Sequence, residues 1–251
     1  MKKALLGLLI FVSVTAKAQF KNSVYSDWTS GYSVGTFGRA QLATNAITSN
    51  LIWNAYQGKE LSRNLRDGVS NNLLANNRLG ADLDYGIFAK HLPDSTKGIG
   101  WFIQISDRTH LNAKYPKDLF NIAMFGNAAY ADKTADLSNI EFNLITYKQY
   151  EAGIIKRIVK NNGTLDIGFG LGLITGNRNL SLTIDEASLY TQPEGEYLDG
   201  TIHGDIRSSS LSGGQYFDAN GLGLSGSFTI SYESDKFGIR LDGDDLGFIN
   251  W

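Results

Sequence analysis

The chain of 251 residues has no cysteine at all. That excludes a disulfide framework, a Cys-based zinc site, a cysteine nucleophile and lipoprotein attachment through an N-terminal Cys. It also lacks any excess of positive charge: 23 Lys and Arg stand against 25 Asp and Glu, a formal charge of −2. Without spare cations to neutralise phosphates, nucleic acid is not an expected partner. Proline is scarce at 3 residues, and histidine stops at His91, His110 and His203. Beyond the first eighteen residues no uninterrupted apolar run reaches the length of a membrane helix. A hydrophobic share of 42% and a mean hydropathy of −0.18 likewise exclude a bundle of membrane helices. Neither value excludes a membrane barrel, in which only alternate residues need be apolar.

What is abundant is glycine, 28 residues, together with 12 Tyr and 13 Phe, aromatic residues suited to strands and membrane interfaces. Met1 to Ala18 has the three parts of a secretory signal. Lys2 and Lys3 form a basic start, Leu5 to Val14 an apolar centre, and Ala16-Lys17-Ala18 a small-x-small site before Gln19. Cleavage there takes the formal charge from −2 to −5, because it removes Lys2, Lys3 and Lys17 and no acid. The expected division is therefore 1–18 signal peptide and 19–251 exported domain.

The remainder alternates with period 2. In Thr164–Thr175, Leu165, Ile167, Phe169, Leu171 and Leu173 share one face of an extended chain, with Asp166, Gly168, Gly170 and Gly172 on the other. Similar runs fall at Leu79–Lys90, Ile99–Ser106, Phe142–Val159, Leu180–Ile184, Leu198–Ile206, Leu222–Tyr232 and Phe237–Asp242. A further strand is expected at Ser49–Tyr56, after an irregular lead-in over Tyr25–Phe37. Two stretches read as helices: Lys59–Leu74, where Leu61, Leu65, Val69 and Leu73 recur every fourth residue, and a shorter one after Pro116 carrying Leu119, Ile122, Ala123 and Phe125. Tight turns are expected at 93–97, at Asn161-Asn162-Gly163 and at Glu233-Ser234-Asp235. The expected fold is all-β: an antiparallel transmembrane β-barrel, or partial barrel, of about eight to ten strands with two short helical connections. A soluble sandwich is the alternative, with the apolar faces as its core.

Several motifs carry little. Gly221 to Gly226 fits G-x-G-x-x-G, but the glycines lie within a period-2 run and no helix opens after them. Gly223-Leu-Ser225-Gly-Ser227 misses the nucleophile elbow by its last residue, and none of the three His has a recognisable nucleophile beside it. Asp242-Gly-Asp244-Asp245 is too short for a Ca²⁺ loop. No catalytic, metal or cofactor site is expected.

Five segments together resemble an uncharacterised outer-membrane barrel family of Bacteroidota. They are Ile-Ser-Asp107-Arg108; Tyr-Pro-Lys-Asp-Leu119-Phe with Phe-Gly126-Asn127; Ala135-Asp-Leu-Ser; Tyr150-Glu151-Ala-Gly-Ile; and Asp245-Leu-Gly-Phe-Ile-Asn-Trp251. The resemblance covers most of the chain after the signal and implies an outer-membrane barrel of unknown cargo, broadly similar to fatty-acid-transporter-like and secretion-associated barrels. It carries no catalytic residues. In that family the Asp-Leu-Gly-Phe-Ile-x-Trp segment falls mid-protein, so the expectation is either a shortened barrel or the N-terminal part of a larger one.

The expected function is non-enzymatic: a porin-like passage or a surface anchor in the outer membrane. Its expected partners are outer-membrane lipid and the barrel-insertion machinery, with a small molecule or secretion complex unspecified. Alternation places Asp82, Asp84, Gln104, Glu151, Arg157 and Asp166 on the lumen side. The alternative function is a soluble periplasmic or secreted β-sheet protein that binds a ligand or partner.

Overall fold

The computed structural model describes residues 24–25, 28–93, 98–160, 162–209 and 219–251. The expected signal peptide lies outside them. The described chain is an antiparallel sheet of nine strands with three short α-helices. The strands are β1 (Gly31–Thr44), β2 (Asn76–Leu92), β3 (Gly100–Pro116), β4 (Lys133–Asp136), β5 (Ile140–Lys160), β6 (Gly163–Thr191), β7 (Leu198–Ser208), β8 (Gly221–Glu233) and β9 (Gly238–Asn250). They pair in the order β1-β2-β3-β5-β6-β8-β9, with β4 and β7 added along the far half of β6. The ladder is open: β1 and β9 are its two ends and no pairing between described residues joins them. Among the described residues the expected barrel is therefore not closed.

The sheet is nonetheless strongly curled. Arg108 on β3 and Asp245 on β9 are four ladder steps apart, about 19 Å in a flat sheet at roughly 4.8 Å per step. Their side chains form an ion pair across the concave side. Bulges bend a strand and add to this curling. One lies between β5 and β6 at Thr146/Tyr147, another between β8 and β9 at Gly226/Phe228.

The two ends of the sheet differ. At one end the strands connect through residues 93–99, 161–162 and 234–237, the turn end. At the other, the loop end, the connections run through 45–75, 117–139 and 192–220 and carry all three helices. Helix α1 (Ser49–Tyr56) replaces the strand expected there. Thr48 caps it, its side chain accepting the Leu51 N–H at 3.4 Å, and the helix buries Leu51 where a strand would have exposed half its apolar residues. Helix α2 (Arg63–Asn72) occupies the expected site but is shorter, starting after the Ser62 cap. Helix α3 (Lys117–Phe125) starts after Pro116 and ends at Gly126, whose φ of 78° admits no ordinary side chain without strain. The three pack on one another and on Leu79 and Tyr115 at the ends of β2 and β3, around buried Leu51, Val69, Leu73 and Phe120.

Three further expectations are corrected. β1 begins at Gly31, inside the stretch read as irregular, and pairs along its full length with β2. β3 continues past Asp107 to Pro116 because β2 and β5 flank it on both sides. The runs at Thr164–Thr175 and Leu180–Ile184 are one strand of 29 residues. The bulge sets Gly176 opposite Tyr147 and Arg178 opposite Thr146 with Asn177 inserted between them, so apolar positions change from odd (Leu171, Leu173) to even (Leu180, Leu182). The phase change is what makes one strand look like two.

Candidate functional site: an enclosed polar face

The polarity of the sheet is inverted relative to a soluble protein. On β6, Ile167, Phe169, Leu171 and Leu173 are exposed, Leu171 at 63%, while Asp166 before them and Gly168, Gly170 and Gly172 between them are buried. On β3, Trp101, Ile103 and Ile105 are exposed, and Phe102, Gln104, Ser106 and Arg108 are buried. The glycine row explains how the concave side fits so much. A Cβ on Gly170 would lie 2.2 Å from Glu151 Oε1 and 2.7 Å from Ser227 Oγ, and one on Gly172 would lie 2.5 Å from Ser225 Oγ. Small residues on β6 make room for long polar side chains from its neighbours.

Those side chains form layers across the concave face. Nearest the loop end, Asp82 Oδ1 meets His110 Nδ1 at 2.7 Å, and His110 Nε2 meets the Tyr147 hydroxyl at 3.2 Å. Next comes a belt of charges: Arg39 to Asp84 at 3.3 Å, Asp84 to Arg108 at 3.5 Å, and Arg108 to Asp245. The belt crosses from β1 to β9, the two ends of the ladder. Arg108 is only 4% exposed, so its charge is carried by the two carboxylates beside it. Below lies a neutral layer in which Gln149 Nε2 donates to Ser225 Oγ at 2.7 Å. Ser227 Oγ then donates to Glu151. Toward the turn end, Arg157 makes a two-pronged pair with Asp166 at 2.7 and 2.8 Å. Arg240 pairs with Asp242, which also accepts from Thr229 Oγ1 at 2.6 Å.

The six residues expected on the lumen side thus lie on one face of the sheet. Asp84, Gln104, Glu151 and Asp166 are buried there, Arg157 is partly buried, and Asp82 stands half-exposed where that face opens at the loop end. They do not converge on one point but are spread through successive layers. Sequence alternation missed the partners that join them. Arg108 lies on the same face of β3 as Gln104, so period 2 alone could have found it. Asp245 could not be found so. Its odd number places it beside exposed Leu241, but Asp244 and Asp245 together oppose Ser227 in the bulge. Asp245 takes a φ of 56°, and its carboxylate turns inward to Arg108.

The last contributor is not a strand. Val24 and Tyr25 are buried on the concave face at 2% and 1% exposure. The Tyr25 ring meets Phe102 edge to face at 5.4 Å, and its hydroxyl lies 3.1 Å from Ser227 Oγ. With Leu92, Phe102 and Ile155 these residues form an apolar cluster inside an otherwise polar interior.

The histidines have local roles. His91 stacks on Tyr32 at 4.2 Å, His110 belongs to the outermost layer, and His203 is exposed on β7 near Glu186. Gly221–Gly226 lies inside β8, with no helix after it. Among the described residues no group of three His, Asp or Glu could hold a metal ion. In the loop-end cap, Tyr130 donates to Asp118 at 2.7 Å, and burial followed by that contact pushes its phenol up. Asp136 accepts the Ser138 N–H at 3.0 Å, which holds its carboxyl below the ordinary value.

A family model described as Family of unknown function (DUF5723) matches residues 26–251. Searches of the curated proteins and of the solved structures found no match.

Proposed function

We propose that this chain, which belongs to a family of unknown function (DUF5723), is a non-enzymatic outer-membrane β-barrel protein of a Bacteroidota envelope. Its role is to anchor the structures at its loop end to the outer membrane. The observation that carries the reading is the inverted polarity: ion pairs enclosed on one face of the curled sheet, and bare Ile, Leu and Phe on the other.

The dimensions support it. Leu165 to Leu173 covers about 26 Å of strand at roughly 3.3 Å per residue. Tilted by about 40°, that is about 20 Å of height, near the ~25 Å apolar band of outer-membrane barrels. The band has an edge on the three central strands. On β3 Ile105 is followed, on the same face, by Asp107, on β5 Tyr150 by Lys148, and on β6 Leu173 by Thr175. Asp107 and Lys148 pair at 3.0 Å. Exposed aromatics flank the band: Tyr32, Trp101 and Phe237 toward the turn end, Tyr150, Phe248 and Trp251 toward the loop end. Short turns at one end and long connections at the other match the periplasmic and outer sides of such barrels.

Anchoring is preferred to open passage because successive layers of side chains fill the concave side. Open strand edges are not tolerated in lipid, so the reading requires β1 and β9 to be joined in the membrane, directly or through further strands. Outer-membrane lipid and the barrel-insertion machinery are its implied partners. Cell fractionation tests the proposal. The expected result is a heat-modifiable band in outer membranes that resists alkaline washing; recovery in the soluble periplasm or medium would refute it.

A further inference from the structure

Above the outermost layer of the concave face, toward the loop end, lies a cavity of about 810 Å³. A row of residues in register across five strands lines it. Ala43 on β1 faces Gly80 on β2, Gly80 faces Asn112 on β3, Asn112 faces Asn143 on β5, and Asn143 faces Ser181 on β6. Asn112 follows His110 by two residues, so the row shares a face with the Asp82–His110–Tyr147 layer. It stands roughly 6.6 Å further along the strands toward the opening. One step further out, Arg78 faces Lys114 and Lys114 faces Glu141, with Lys114 Nζ 2.9 Å from Glu141 Oε1.

Asparagine is depleted in strands, because its side chain competes for backbone hydrogen bonds. Elsewhere at the loop end it ties the chain together. Asn77 bonds both the N–H and the carbonyl of Leu74, and Asn45 Oδ1 accepts the Arg78 N–H at 2.9 Å. Asn112 and Asn143 do nothing of the kind. Both are exposed to the cavity, and among the described residues neither side-chain amide has a hydrogen-bond partner. The fold has no use for two opposed amides in mid-strand; a ligand does.

We propose that this cavity binds a glycan carrying an acidic group. Each carboxamide offers two N–H donors and an acceptor oxygen, which match sugar hydroxyls that both donate and accept. The Ser181 hydroxyl extends the row in the same chemistry. An apolar ligand would leave all of these groups unpaired. Ala43 and Gly80 keep room beside the amides: a Cβ on Gly80 would already stand 3.4 Å from Asn112 Oδ1. Charge selects the acidic group. Lys114 is offset by Glu141, but Arg78 has no acidic partner among the described residues, so the rim keeps one unbalanced positive charge. A bare anion would meet Arg78 and leave the amides unused.

The site goes beyond the anchoring role and does not depend on it, because the cavity is lined by one chain. Fractionation sinks one and titration the other. Trigalacturonic acid, maltotriose and inorganic phosphate are titrated by calorimetry into the purified full-length protein. The expected result is that trigalacturonic acid binds about threefold or more tighter than maltotriose, and that phosphate does not bind detectably. Asn112→Ala with Asn143→Ala is expected to weaken both sugars about tenfold. Arg78→Gln is expected to remove only the preference for the acidic sugar. An unchanged urea midpoint reports the fold of each variant, and should the double variant fail to fold, each single variant is titrated in its place. Four results would overturn the site: no binding of either sugar, binding indifferent to the loss of the amides, a preference that survives Arg78→Gln, or phosphate bound as tightly as the acidic sugar.

Discussion

Arg108 concentrates the energetics of the interior in one side chain. It stands between Asp84 and Asp245, and all three are more than two-thirds buried. Removing the shared partner of a buried charge network leaves uncompensated carboxylates and costs about 3–5 kcal/mol. Arg108→Ala is accordingly expected to destabilise the folded protein by that order, read from urea unfolding as the midpoint shift multiplied by the m-value. Asp245→Asn should cost less, since Asn tolerates the left-handed backbone at this position and still accepts a hydrogen bond. Equal losses in the two variants would contradict the central place given to Arg108. At the other extreme of size, Gly170 leaves no space for a Cβ beside Glu151 and Ser227. Gly170→Val is expected to destabilise by about 1–3 kcal/mol through overpacking, measured by the same midpoint. Outside the band, Asp136 offers a pH test. Its folded pKa is depressed, so its contact with Ser138 contributes fully above the ordinary Asp value of 3.8 and is lost as pH falls through the lower folded value. Amide protection of Ser138 should therefore weaken only in that acid range.

Among the elements, β6 shows what period 2 reveals and where it stops. The inward and outward faces of Leu165–Leu173 were legible because regular pleating fixes them. So were the polar faces of β2, β3 and β5, which place Asp82, Asp84, Gln104, Glu151 and Arg157 on the same face of the sheet as Asp166. Phase changes hid the rest: the bulge at Asn177 divides β6 into two apparent strands, and the bulge at Asp244–Asp245 conceals the partner of Arg108. Ser49–Tyr56 misled for a different reason. Eight residues with apolar Leu51 and Trp53 fit either period, and the Thr48 cap together with packing on Val69 and Leu73 decides for helix. The burial of Tyr25 against Phe102 had no periodic signal at all. At this scale the face of β6 is itself testable. Leu171→Arg should cost about 2–4 kcal/mol if that face meets lipid at mid-depth. On a water-facing strand the same change should stay within about 0.5 kcal/mol. Unfolding in lipid vesicles measures the difference.

For the molecule as a whole, the central claim is that the sheet is inside out: charges enclosed, hydrocarbon facing a membrane. The absence of cysteine makes a spin-label scan clean. Ile167, Phe169, Leu171 and Leu173, and the buried Gln104, Gln149 and Ser225 of the opposite face, are each replaced in turn by a labelled Cys on the protein inserted in vesicles. Collision rates with oxygen, which concentrates in the bilayer, and with a water-soluble nickel complex are then measured at each site. The account predicts high oxygen and negligible nickel access at the four apolar positions, and little of either at the three buried polar positions. Free nickel access at Leu171 would place that face in water and contradict it.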